Sequence, residues 1–410
     1  IGEHVQPKDV RGDISPLKPL PAGPRPVPHQ IGLGALPAQA STHTKSGTVM
    51  IGAPKISASR NVSETADVRG TSTVLSWSPT ADGGRIAALR FTADGAYGLR
   101  LGVLVHGLPL GAVLRFSADN VDRAYEVTAQ QIFQMVQRNE SAGDKSDAAR
   151  TYWSPNLGGE SATMEIVLPP GAPSDGVQIA VPRVSHVFVD LAKDGLKSGD
   201  ASGTCEQDIA CSLEFLPMSS SVALMDYVKE DGNGYLCTGT LMNDRASDGI
   251  PYFLTAAHCI SSQAQASTLT TAWNIRKKTC GGADYYQNSL DDFLFGGAAL
   301  LTANTSTDAT LLRLNDAPPP GAIFAASYPA TPQFSEDLGT IHHPKGDAQK
   351  YSVGRYRGAY GIFFGDFVRP VDAADSNANF LGITWRLGAT EPGSSGSPLL
   401  MKLNGVQYVV

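Results

Sequence analysis

The sequence lacks any apolar run approaching the roughly 18 residues that suggest a membrane-spanning helix. It also lacks a Met at position 1 and a basic-then-apolar leader at "IGEHVQPKDV", so it reads as a processed form or a fragment. Positive charge is not in excess. There are 32 Lys and Arg against 39 Asp and Glu, a net charge of −7, which argues against nucleic acid as a partner, since that usually calls for a basic face. Cysteine is scarce, with five in 410 residues, and none forms a C-x-x-C pair, which makes a zinc ribbon or thioredoxin motif a poor fit. All five lie in one region, at Cys205, Cys211, Cys237, Cys259 and Cys280. Such clustering suits a disulfide framework in an oxidising compartment. The number is odd, so one sulfur has no partner within this chain.

What is present is globular, with 42% hydrophobic and 17% charged residues and a length sufficient for two or three domains. Residues 1–45 carry "PLKPLPAGPRPVP" and read as an extended segment without a core. Residues 46–195 hold short, alternating or β-branched runs such as "RIAALRF", "YGLRLGVLVHG" and "ATMEIVLP", closed by turn residues. A β-sandwich is the expected architecture there. One helix is expected at "TAQQIFQMVQRN", where Ile132, Met135 and Val136 fall at helical spacing. Residues 196–204 belong to a linker by composition, and 205–410 return to strands and loops.

Three short stretches carry candidate chemistry. In "YFLTAAHC" an apolar strand ends at His258 and Cys259. Cys237 lies upstream, and a Cys237–Cys259 bridge would pin the backbone beside His258, as suits a base that must keep one orientation. Alone, such a histidine is more often a half-buried strand-end residue. In "STDATLLRL" Asp308 opens a strand; the bland alternative is a turn aspartate, and the functional one is a carboxylate that fixes a histidine tautomer. In "TEPGSSGSPLL" two glycines flank serines. A nucleophile there needs neighbouring N–H groups for a developing oxyanion, which Gly393 and Ser395 can supply. Gly396 lets the chain turn away without a side-chain clash. Ser395 is the choice, with Ser394 and Ser397 as supports. His258, Asp308 and Ser395 follow one another at 50 and 87 residues, an order that belongs to the chymotrypsin-type double β-barrel.

"TAAHC", "DATLLRL" and "GSSGSP" resemble the trypsin-like serine proteases. "TEPGSSGSP", "IHHP" and the Cys205–Cys211 spacing further resemble the bacterial secreted lysyl endopeptidases. The resemblance covers about 205–410; before that point the chain resembles the pro-regions of exported proteases only loosely. It implies Ser395 as nucleophile, His258 as base and Asp308 as its support, with the Gly393 and Ser395 N–H groups as oxyanion hole. It also implies bridges Cys237–Cys259 and Cys211–Cys280, with Cys205 pairing beyond residue 410. Ser394 replaces the aspartate that in trypsin pairs with the new N-terminus, so that switch cannot operate here. Ala389 replaces trypsin's pocket aspartate, and the resemblance gives Glu391 the role of receiving a lysine ammonium.

The expectation is therefore an all-β secreted bacterial serine endopeptidase precursor. It would have a β-sandwich-like pro-region and a double β-barrel whose second barrel is truncated at the C-terminus. It would act on proteins or peptides after lysine, or lysine and arginine, as a monomer without cofactor or metal. "PLLMKLNGVQYVV" is expected to form one hairpin turning at Asn404-Gly405. His342 and His343 are adjacent on a strand and should face opposite ways, which disfavours a metal site. Maturation is expected after Lys197, leaving Ser198 first. The runner-up is an inactive protease-fold binding or adhesion protein. A third reading retains the N-terminal sandwich as a carbohydrate-binding module, with Trp77, Tyr152 and Trp153 as candidate contacts.

Overall fold

The computed structural model describes residues 17–21, 25–37, 52–119, 121–189, 202–286, 290–329, 331–364 and 367–410. The linker is described only from 202 onward, so Lys197 and Ser198 lie outside the described residues.

Strands dominate, and they fall into four sheets. Two belong to the N-terminal half. One centres on Arg85–Thr92, Ser161–Leu168, Val113–Ser117 and Arg123–Thr128; the other joins Ser57–Asn61, Gln178–Val187, Gly98–Gly107 and Thr151–Trp153. Their facing side chains, among them Leu89, Phe91, Leu101, Val105, Met164 and Ile166, form one apolar core. The expected helix is Ala129–Ser141. It starts at a capping box in which Thr128 and Gln131 satisfy each other's N–H groups, and it buries Ile132, Met135 and Val136. The proline-rich segment differs from expectation. Leu17–Pro19 pairs with Arg123–Thr128, and His29–Gly32 runs parallel to Arg85–Thr92. Leu17 and Ile31 are buried in the core. Proline is tolerated on such edges because an edge strand leaves N–H groups unused.

The C-terminal half contains two seven-stranded sheets. The first runs Phe293–Leu294, Thr270–Ala272, Val222–Val228, Gly234–Met242, Tyr252–Thr255, Ala309–Leu314, Ala298–Asn304. The second is built on Lys350–Phe364, with Asp337–His342, Leu399–Leu403 and Val406–Val409 beside it. The last two strands form the expected hairpin, and both Asn404 and Gly405 have positive φ, as a type I′ turn demands.

The halves share a core. Leu224, Leu236 and Phe293 of the first of these sheets, with Ile275 and Phe295 from the loops beside it, join the N-terminal apolar cluster. Residues 54–56 run beside Gly234–Met242, with Ile56 N–H donating to Gly234 and Leu236 N–H to Pro54. Arg100 is buried against Asp226, 3.2 Å away, and donates to the Thr268 carbonyl.

Candidate active site

His258 and Asp308 meet because their strands do. Tyr252–Thr255 pairs antiparallel with Ala309–Leu314, with Thr255 opposite Thr310. Asp308 therefore leads into one strand beside the turn that leaves the other. Its carboxylate uses both oxygens on one residue. Oδ1 accepts the His258 backbone N–H at 2.8 Å and Oδ2 lies 2.6 Å from His258 Nδ1. The Ala257 N–H donates to the Asp308 carbonyl. Asp308 sits at φ 50°, a left-handed conformation that aspartate tolerates better than most residues. Burial pushes its carboxyl up, but the bonds from the His258 ring and backbone outweigh that and hold it below the ordinary range. This fixes the ring and favours a proton on Nδ1, leaving Nε2 free to take one.

The serine stretch is two successive tight turns. Ser394 N–H donates to Glu391 and Ser397 N–H to Ser394. Gly393 and Gly396 occupy the third position of each turn with φ 100° and 83°, and Pro392 precedes Gly393. This is the type II pattern, which requires positive φ at that position. A Cβ on Gly396 would lie 2.2 Å from Thr255 Oγ1 and 2.3 Å from the Thr238 carbonyl. The turn is thus pressed onto Tyr252–Thr255, the strand that leads to His258, and onto its neighbour Gly234–Met242. Thr238 grips the loop twice. Its N–H donates to the Ser395 carbonyl at 2.8 Å and its hydroxyl to the Gly393 carbonyl at 2.8 Å. The N–H groups of Gly393 and Ser395 have no acceptor among the described residues. The Ser395 hydroxyl makes no hydrogen bond to His258 there either; such contacts often tighten only with substrate bound.

The remaining expected residues are placed as follows. Cys237–Cys259 and Cys211–Cys280 are bonded pairs, and Cys205 is exposed with a free thiol. The Cys237–Cys259 bridge spans a separation of 22 residues, a loop worth roughly 3 kcal/mol in the chain-entropy account. Cys237, His258 and Cys259 offer atoms within 4.8 Å of one another, but sulfurs in a disulfide are not thiolate ligands. Glu391 does not stand open. One oxygen accepts the Gly203 N–H at 2.8 Å, and the other lies 3.3 Å from the Lys345 ammonium. Ser397 meets the Thr340 hydroxyl at 3.1 Å. His342 and His343 face apart, His342 towards Ser394 and Ser352, His343 donating to the Asp347 carbonyl.

Sequence reasoning missed Thr238, Ser352 and Glu206. Glu206 is the least expected. Its side chain is 1% exposed and neither oxygen has a hydrogen bond of ordinary geometry. Burial and the nearby charge of Glu391 push its carboxyl up to about 7, against the Ala389 backbone and Lys350. No sequence signal marks it, because its neighbours lie on strands more than a hundred residues away.

Known proteins resemble the chain along both halves. The family described as "Lysyl endopeptidase, C-terminal domain" matches residues 199–410, and "Lysyl endopeptidase N-terminal domain" matches 30–188. A lysyl endopeptidase of Pseudomonas aeruginosa is 34% identical over 340 residues, covering 80% of this chain and 68% of the relative. Among solved structures, the active form of the Rv3671c protease from M. tuberculosis is 17% identical over 48% of this chain and 72% of its own, at a TM-score of 0.31. The serine endoprotease from Yersinia pestis is likewise 17% identical, over 48% of this chain and 54% of its own, with a TM-score of 0.31. The two domain matches and the Pseudomonas relative make the chain a member of the lysyl endopeptidase family and a serine endopeptidase.

Proposed function

We propose that the chain is the precursor of a secreted endopeptidase that cuts proteins after lysine through an acyl-enzyme on Ser395. The observation that carries this is the double engagement of His258 by Asp308, with the Ser395 turn pressed onto Thr255 at the end of the strand that leads to His258. His258 Nε2 takes the proton as Ser395 Oγ attacks the carbonyl, then returns it to the leaving amine. The unpaired N–H groups of Gly393 and Ser395 receive the oxyanion. Glu391 supports a cationic side chain in the substrate, since it already holds an ammonium 3.3 Å away. The disulfides support an oxidising destination. The N-terminal half is the pro-region, removed by cleavage in the linker, after Lys197.

The test uses the full chain and a denatured protein mixture, with cut sites read by mass spectrometry. Cuts should follow lysine. Ser395→Ala should lower kcat by about a million-fold, as loss of a triad serine does, and Ser397→Ala should cost far less. Equal damage from both, or a majority of cuts after apolar or acidic residues, would overturn the reading.

A further inference from the structure

The segment 389–394 has a brace that the proposed mechanism does not use. His342 ends the strand Asp337–His342, which lies between the strands Lys350–Phe364 and Leu399–Leu403. Its imidazole is fully buried. Ser394 Oγ lies 2.7 Å from Nδ1, and Ser352 Oγ lies 3.1 Å from Nε2.

The proton on each of these atoms can be assigned. Ser352 donates its hydroxyl to the Ala389 carbonyl at 2.6 Å. Its oxygen must then accept from His342, which places the ring proton on Nε2. Nδ1 is left as an acceptor, and the Ser394 hydroxyl fills it. The Ser394 oxygen in turn accepts the Glu391 N–H at 3.1 Å. The chain runs Glu391 N–H, Ser394 O–H, His342, Ser352 O–H, Ala389 C=O. It begins and ends in the same loop and closes across it. A neutral imidazole has one donor and one acceptor, and both are used.

The charged and titratable groups around the ring agree with a neutral form. Glu206 Oε2 is 3.7 Å from Nε2, too far for a hydrogen bond. Burial pushes the imidazole down to about 3, and the His343 ring and Lys350 ammonium add to this.

We propose that His342 is a positioning residue for catalysis, joining the Ser394 and Ser352 hydroxyls into one neutral relay that holds residues 389–394, and with them the Gly393 and Ser395 N–H groups, in their working shape. The loop is thereby set without an ion pair at the residue before the nucleophile. The proposal rests on the assignment of Ser395 as nucleophile. A histidine that merely filled space would leave Ser394 and Ser352 independent, because those two hydroxyls do not bond each other.

The experiment uses the full chain and a small lysyl ester, with Ser394→Ala, Ser352→Ala and the double variant. Each single change should lower kcat by about 10- to 100-fold, with KM altered less than about threefold, the pattern of an interaction realised in the transition state. The double variant should be no worse than the poorer single, because either change breaks the whole chain. Unchanged kcat, or losses that multiply, would overturn the relay. A second measurement stands apart from Ser395. In protein labelled with 15N-histidine, His342 should show the Nε2–H tautomer and stay neutral well below the ordinary value near 6.5. An Nδ1–H tautomer, or protonation near pH 6.5, would overturn the relay even if Ser395→Ala is inactive. An active Ser395→Ala with the Nε2–H signature intact would sink the nucleophile assignment and, with it, the catalytic purpose given to the relay.

Discussion

The charge ladder of the N-terminal half and the serine loop of the catalytic half hold their polar groups in opposite ways. In the N-terminal half, charges are stacked into a closed ladder. Glu165 lies directly opposite Arg115, and Arg115 opposite Glu126, on neighbouring strands. Arg25, from a loop, caps Glu165, and Lys18, on the edge strand Leu17–Pro19, caps Glu126, so five side chains alternate in sign across four strands and a loop. Directly opposed unlike charges are the favourable cross-strand arrangement. The catalytic half also pairs charges, Lys350 with Asp208 and Asp347, but its serine loop is tied by neutral hydroxyls, and among the described residues the N–H groups of Gly393 and Ser395 have no acceptor and Glu206 no hydrogen bond of ordinary geometry. Unpaired buried groups cost free energy. Those at Gly393 and Ser395 stand where the proposed mechanism needs donors, whereas every charge of the ladder has an opposite neighbour.

The largest expected break in this contrast is at Asp308. Asp308→Asn should keep the fold and lower kcat about 10⁴-fold, because an amide no longer fixes the right His258 tautomer. Its stability effect should depend on pH. The folded carboxyl lies below its ordinary value, so its contribution is present above about 3.9. It is lost as pH falls through the folded value, and wild type and variant should converge in acid. Steady-state kinetics with thermal melts at several pH values check both. A variant with near-normal kcat would remove Asp308 from the site.

The next effect tests whether the halves are separate bodies. Arg100 and Asp226 are side chains only 3% and 8% exposed, one from each half. Arg100→Ala leaves a buried carboxylate without its partner, which should cost about 3–5 kcal/mol. Replacing both by apolar residues should recover most of it. The shared core of Leu224, Leu236, Phe293 and Phe295 predicts that urea unfolding of both halves shifts together. A shift confined to the N-terminal half would show that the contact does not couple them.

The contrast also explains what was legible. Turn chemistry is local, so the glycines of "PGSSGS" and the Asn404-Gly405 hairpin could be read directly. The helix Ala129–Ser141 was equally plain, since its apolar spacing and capping box are contiguous. The meeting of His258 with Asp308 was legible because the motifs that flank each are themselves local. Thr238, Ser352 and Glu206 act through partners far along the chain, mostly in the loop 389–395, and which segments meet is not written in composition. The proline-rich segment misled for the same reason. Its prolines forbid a central strand, but Leu17 and Ile31 find a sheet edge only once the sheet exists. The resemblance offered Glu391 as a pocket residue, and its partners Gly203 and Lys345, which come from elsewhere in the chain, could not be read from the sequence.

The smallest expected effect sharpens the comparison by its sign. Glu206 in the catalytic half and Glu126 in the ladder should respond to pH in opposite directions. Burial and Glu391 raise the Glu206 carboxyl to about 7. Between about 4.3, the value expected unfolded, and 7, the folded chain then binds more protons than the unfolded one. Stability must fall as pH rises through that window. Glu206→Gln cannot ionise, so it should gain on the wild type from pH 5 to 8, by on the order of 1 kcal/mol after allowance for relaxation around the site. Burial also raises Glu126, but its bonds to Lys18 and Arg115 outweigh that and hold it below the ordinary range. Its contribution is present above about 4.3 and is lost as pH falls through the folded value. Glu126→Gln should therefore lose on the wild type at neutral pH and converge with it in acid. Melting temperatures of the three proteins at pH 3, 5 and 8 decide the matter. If Glu206→Gln loses ground from pH 5 to 8, Glu206 has a cationic partner in solution and is paired as Glu126 is.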